Sequence, residues 1–268
     1  MRTLGRQSRA GRVLGLVLIL GLVLVGCAET RSEIATSFRE GRIAQQHYDA
    51  GKAKYRARDY AAAIPLFQRT LAHEPQYDDA EVYLGWSYFH LGQYADATQH
   101  FRQVTVRQPR WEGAWNGLGW SQHRARQSER ALAAFQEAVA LDPGYRDAAV
   151  GLAYALFELQ RYREALPHLH RLTREGAYIY FPDPDSDVEE VRSRYAWCLY
   201  YTGAYDKARD EFGKGLAVRP KWPGLHNGLG WAYLKLGNRA KARESFQRAL
   251  QLDPNYADAR TGLAEASR

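Results

Sequence analysis

Apolar residues along this chain fall at helical spacing, and the pattern itself repeats on a longer scale. Leu84, Leu118, Leu152, Leu229 and Leu263 share one column, and Gly85, Gly119, Ala153, Ala196 and Gly230 run beside it. A second amphipathic stretch follows each of the first. There Ala63, Ala97, Ala131, Ala165, Ala208 and Ala242 form a small column. Four residues on lie Phe67, Phe101, Phe135, Leu169, Phe212 and Phe246. Residues three and four apart share a helix face, so the pattern predicts two helices per unit. The small residues let the helices approach closely, and the bulky ones plug the space between units. Pro75, Pro109, Pro143, Pro220 and Pro254 close the second helices, because proline cannot continue the hydrogen-bond ladder.

The tryptophans measure the period. Trp86 and Trp120 are 34 residues apart, as are Trp197 and Trp231, and NGLGW occurs at both 116–120 and 227–231. From Trp120 to Trp197 the gap is 77, two periods and nine extra residues. A fixed period of this length marks a repeat array. The frame gives units at 44–77, 78–111, 112–145, 146–179, 189–222 and 223–256, an insertion at 180–188, and a final short helix at 257–268. Residues 27–43 read as a tether.

The stretches YLGWSYFHLGQYADATQHFRQVTVRQP and NGLGWAYLKLGNRAKARESFQRALQLDP closely resemble the tetratricopeptide repeat (TPR) family. The fourth unit departs from the pattern, with Ala153 for the Gly, Leu169 for the Phe and Ala177 where Pro is expected. The resemblance implies an all-α solenoid: a right-handed superhelix of antiparallel helix pairs, about six repeats with a C-terminal capping helix. It also implies that the first helices line a concave groove.

On that face the columns place Trp86, Trp120, Tyr154, Trp197 and Trp231, one ring per unit. Asn116 and Asn227 lie one turn earlier, and Phe89, Phe157 and Tyr200 one turn later. The ladder admits three readings. Large amphipathic rings and side-chain amides suit a protein or peptide partner. They equally suit a glycan, with rings stacking on sugars. The rings can also serve only to pack one unit on the next. TPR proteins that clamp a C-terminal carboxylate carry Asn where this ladder carries Trp, which argues against that mode. The resemblance implies a scaffold that assists an envelope complex, in pilus, secretin or outer-membrane assembly. The alternative is a glycan-binding accessory in polysaccharide export or on peptidoglycan.

The amino terminus supplies the envelope context. Residues 1–12 are basic and 13–26 are apolar, followed by Leu24-Val25-Gly26-Cys27. This is the form of a secretory signal over 1–26, and fourteen apolar residues are too few to favour a spanning helix. The motif resembles the bacterial lipobox, which implies lipidation of Cys27 and a membrane anchor. Ala28 in place of Asp points to the outer membrane, periplasmic side, in a Gram-negative cell. At 46% apolar and 25% charged, the composition is that of a folded chain. The formal charge of +7 suggests nucleic acid at first sight. Four of the 37 basic side chains lie before Cys27, however, and the other 33 face 30 acids without any cationic run. Nucleic-acid binding needs a concentrated cationic footprint, so none is expected.

The chemistry-bearing residues are sparse. Asp183, Asp185 and Asp187 alternate like the start of a calcium loop, but Val188 and Arg194 stand where its Gly and distal Glu belong. Asp187 reads instead as a helix N-cap, with Glu189 and Glu190 in the first turn. His168 and His170 are two apart and point to different faces. Cys198 aligns with Ser87, Ser121, Ala155 and Ala232, a column of small packing residues. There is no nucleophile, metal or phosphate-loop motif. The sequence predicts an interaction protein rather than an enzyme, without metal or cofactor.

Overall fold

A computed structural model describes residues 36–174 and 188–268. The signal sequence, Cys27, most of the tether and the Asp183–Asp187 run lie outside the described residues. All regular structure among the described residues is helical: α1 (36–56), α2 (Tyr60–His73), α3 (Asp78–His90), α4 (Tyr94–Arg107), α5 (Glu112–Arg124), α6 (Ser128–Leu141), α7 (Arg146–Glu158), α8 (Tyr162–Arg174), α9 (Val188–Tyr201), α10 (Tyr205–Val218), α11 (Pro223–Lys235), α12 (Arg239–Leu252) and α13 (Ala257–Ala266). Helix α1 is already formed at residue 36, eight residues before the unit boundary that the period suggests.

The long turns after the second helices follow from proline. Helices α2, α4, α6, α10 and α12 each end two residues before a proline. The intervening residues Glu74, Gln108, Asp142, Arg219 and Asp253 have φ between −120° and −138°. A following proline disfavours the helical region for the residue before it. The short turns within each pair use left-handed backbone instead. Arg58, Gly92, Arg126, Gln160, Gly203 and Gly237 all have positive φ, at the equivalent place in six successive units. Three of the six are not glycine and bear the cost of a Cβ in that region.

The chain divides into two compact units, the first ending at Leu84 and the second spanning Gly85–Arg268. The first is organised around Phe67, which is fully buried. Gly51 of α1 lies against one side of that ring, and Tyr83 stacks on it with centroids 5.5 Å apart and planes 17° apart. Tyr48 and Tyr55 meet Tyr83 edge-on.

Within Gly85–Arg268, consecutive helices pack on each other, and α5, α7, α9, α11 and α13 also pack side by side. One arrangement recurs. Each buried Phe of a second helix is pressed between the first helix of its own pair and that of the next. A Cβ on Gly85 would come within 3.0 Å of Phe101, and one on Gly117 within 2.3 Å. Phe135 sits between Gly119 and Gly151 in the same way, and Phe246 between Gly230 and Gly262. Phe212 has Gly228 on its far side. At all of these except Gly85 the approach is under 3.0 Å, so each of those glycines is fixed by a ring from another helix. The fourth pair breaks the rule. Its plug is Leu169, and the residue in the second glycine column is Arg194 of α9.

Candidate functional site

The first helices of the pairs carry the aromatic column, and the structure shows what each ring touches. Trp86, Trp120, Trp197 and Trp231 meet Phe101, Phe135, Phe212 and Phe246 edge-on, with centroids 4.9, 5.2, 5.2 and 5.3 Å apart. Every tryptophan therefore has one edge in the core of its own pair. The other side differs between units. Trp86, Trp197 and Trp231 are half-buried, whereas Trp120 is 3% exposed and Tyr154 is 2% exposed. Of the five rings, three keep accessible surface and these two serve packing.

Trp120 is closed off by rings, meeting Tyr154 of the next first helix edge-on at 6.2 Å and His123 at 5.5 Å. Asp147, in the first turn of α7, is set against α5. Its Oδ2 accepts from Asn116 Nδ2 at 2.6 Å and from Trp120 Nε1 at 3.2 Å. Asn116 Nδ2 also donates to the Tyr145 hydroxyl at 3.3 Å. Burial raises the Asp147 carboxyl to about 7, although both hydrogen bonds pull it down. The same arrangement recurs at the end of the chain. Asn227 Nδ2 and Trp231 Nε1 donate to Asp258 Oδ2 at 2.7 and 2.9 Å. Asn116 and Asn227 are each 1% exposed. Their amides thus join neighbouring helices and are not free to hold a ligand backbone, which corrects the role inferred for them. The sequence contained a signal for the two acids. Each aspartate lies 31 residues after its asparagine, so the NGLGW duplication extends to a matched Asp.

The junction between α7 and α9 uses other residues at the same places. Val150 replaces the Asn, Tyr154 the Trp, Glu190 the Asp and Arg194 the Gly. The Arg194 guanidinium lies 3.7 Å from the centre of the Tyr154 ring and pairs with Glu190. Tyr154 is thereby covered. Beside it, His123 faces Glu158 at 3.4 Å, and Ser128 donates to Glu158 at 2.9 Å. Burial pushes the His123 imidazole below its ordinary range, against the pull of Glu158.

Accessible aromatic surface gathers further along. Tyr201 of α9 is 52% exposed and stacks on Tyr162 of α8, with centroids 4.4 Å apart and planes 17° apart. Trp197 stacks on Tyr201 with centroids 5.7 Å apart and meets Tyr200 edge-on at 5.4 Å. Trp231 is half-buried on the adjacent α11. Burial, with Asp258 and Glu265 among the lesser causes, raises the Tyr200 hydroxyl to about 12. Cys198, on the same helix as Trp197, is fully buried, and burial raises its thiol to about 12.

Tetratricopeptide repeat profiles match residues 48–113 and 94–146, residues 123–177 and residues 223–256, together more than half of the chain. The chain belongs to the tetratricopeptide repeat family. Solved TPR structures share its all-α repeat fold. YrrB, described as a TPR protein with an unusual peptide-binding site, aligns over 73% of this chain and 96% of its own, with a TM-score of 0.62 and 19% identity. MamA of strain MSR-1 aligns over 67% of this chain and 98% of its own, at 0.58 and 23%. A tetratricopeptide repeat protein from Parabacteroides merdae aligns over 85% and 100%, at 0.60 and 14%. No match to a curated protein was found. Among the described residues of this TPR chain, no group of His, Cys, Asp or Glu could hold a metal, and no helix is long and apolar enough to cross a membrane.

Proposed function

We propose that this TPR protein is a lipid-anchored envelope scaffold that holds a protein partner's extended segment against its first-helix face. The observation that carries the reading is the accessible aromatic surface on α9 and α11, made by Trp197, Tyr200, Tyr201 and Trp231. Half-exposed rings fixed at one edge lose little entropy on binding and still offer a large contact area. The peptide-binding site named for YrrB, which has the same fold, supports a peptide as the occupant. Tyr201 already carries two stacked rings, so it presents mainly its edge and hydroxyl, which suit a peptide better than a sugar face. Trp86 belongs to the same column and would extend the contact. The lipobox-like Leu24–Cys27 would place the scaffold at a membrane through a lipid on Cys27, on the periplasmic side of the outer membrane.

The test is a pulldown from envelope extract with the wild type and with Trp197→Ala/Trp231→Ala. A polypeptide should be lost from the variant, and in purified form should bind it more weakly by about 2 kcal/mol or more. Loss of carbohydrate alone would transfer the site to a glycan. Unchanged recovery would remove the surface from consideration. The anchor is tested separately, by intact mass of the membrane fraction: a chain beginning at lipid-modified Cys27 is expected, and an unmodified soluble product would refute it.

A further inference from the structure

Two atoms at the α5–α7 junction are unaccounted for. Oδ1 of Asn116 and Oδ1 of Asp147 are both buried and both lack a hydrogen-bond partner. They belong to groups already joined at their other ends, where Asn116 Nδ2 donates to Asp147 Oδ2 at 2.6 Å. Both oxygens can only accept if Asp147 is ionised, so each would carry the cost of an unmet buried acceptor. One proton removes both deficits. A carboxylic acid and a primary amide have complementary edges: the amide N–H meets one carboxyl oxygen, and the acid O–H meets the amide oxygen.

The surroundings favour the uncharged form. Among the described residues, no Lys, Arg or His pairs with Asp147. From α5 it meets Asn116 and Trp120, and Tyr145, which shares Asn116 with it, faces the acids Glu112, Asp142 and Asp147. Arg146, next in sequence, is exposed. On α9, Arg194 is held by Glu190 and Tyr154. A buried carboxylate without a cation is costly, and protonation is the usual escape.

We propose that Asp147 stands in the folded protein as a neutral acid whose proton bridges its Oδ1 to Asn116 Oδ1, closing an acid–amide pair that rising pH opens. The twin site supplies an internal control. Asn227 and Trp231 make the same two bonds to Asp258, and Asn227 Oδ1 is likewise buried without a partner, but Asp258 is exposed, so only the α5–α7 site sets a buried, unpartnered carboxyl oxygen beside the amide. The α5–α7 contact is therefore acid-strengthened. The direction follows from linkage. The folded state holds this proton more tightly than the unfolded chain does. Its contribution is complete below the ordinary carboxylate range and is lost as pH rises through about 7.

Asp147→Asn replaces the acid O–H with an amide N–H and mimics the closed pair at every pH. Thermal melts of the full chain at about pH 5 and about pH 8.5 should show wild type and Asp147→Asn alike in acid, with the variant melting higher in base. A gap that does not change with pH would overturn the proposal. Carbon-13 NMR of carboxyl-labelled aspartate provides a readout that does not depend on the variant folding. In the wild type, one aspartate should titrate near 7. That resonance should survive Asp258→Asn. Titration of every aspartate in the ordinary range, or loss of the neutral one in Asp258→Asn, would overturn it.

Discussion

The guanidinium of Arg194 lies over the Tyr154 ring, 3.7 Å from its centre, at a place where four equivalent positions carry glycine. The plug of the preceding pair is Leu169 and not a phenylalanine. Arg194→Gly should remove the cation–π contact and the ion pair with Glu190, costing about 1–3 kcal/mol. Leu169→Phe alone should overpack, at about 1–3 kcal/mol. Together the two changes restore the arrangement of the other junctions, so the double variant should cost less than the sum. Urea denaturation of the four proteins measures the coupling, and additivity would show that the two sites are independent.

Trp120 and Trp231 share a motif but not an environment. Trp120→Ala should destabilise by about 3–5 kcal/mol, as for a core aromatic. Trp231→Ala should cost roughly half of that or less, since the ring is half-exposed and its acid is in solvent. Equal losses in denaturant melts would mean that burial by Asp147 has no energetic weight.

Arg126 and Gln160 have φ of 60° and 58° in the tight turns where Gly92, Gly203 and Gly237 stand in other units. Substituting glycine relieves Cβ strain but frees the unfolded chain. The net expectation is a gain of about 0.5 kcal/mol per site, read as a rise in melting temperature. A drop in both variants would place the strain elsewhere.

Cys198 should react slowly with a thiol reagent in the native protein and quickly once denatured. Its thiol is raised to about 12 by burial, so little thiolate exists at neutral pH. Rapid native labelling would show that α9 opens readily.

The helix pairs were legible because their signals are local: apolar columns at helical spacing, and a proline two residues beyond each second helix apart from α8. The plugs Phe67, Phe101, Phe135, Phe212 and Phe246 were legible for the same reason, and all are fully buried. Exposure of the aromatic ladder was not legible. Whether Trp120 faces solvent depends on the rings beside it, above all Tyr154, which lies 34 residues on in another helix, since Trp231 makes the equivalent bond to its aspartate and stays half-exposed. Tyr154 depends in the same way on Arg194, beyond the insertion. The columns were read one at a time, whereas burial arises from pairs of columns. Asn116 and Asn227 looked like ligand groups because their acidic partners are in the following unit.

The press of each phenylalanine in Gly85–Arg268 against a glycine of the next pair has a consequence for the order of the units. In Gly85–Arg268 a unit with Phe can be followed by any unit that offers the second glycine, so such units are interchangeable, and duplication or loss of one would leave every ring seated. The fifth unit is the exception. Placed after a Phe-bearing neighbour, the Cβ of Arg194 would fall where rings now approach to 2.3–2.4 Å at Gly117, Gly151, Gly228 and Gly262. The fifth unit fits after a unit with a smaller plug, as the fourth is, whereas Tyr83 meets the Phe67 plug by lying flat against it. One leucine and one arginine thus give an otherwise shuffleable array a fixed reading order at its middle.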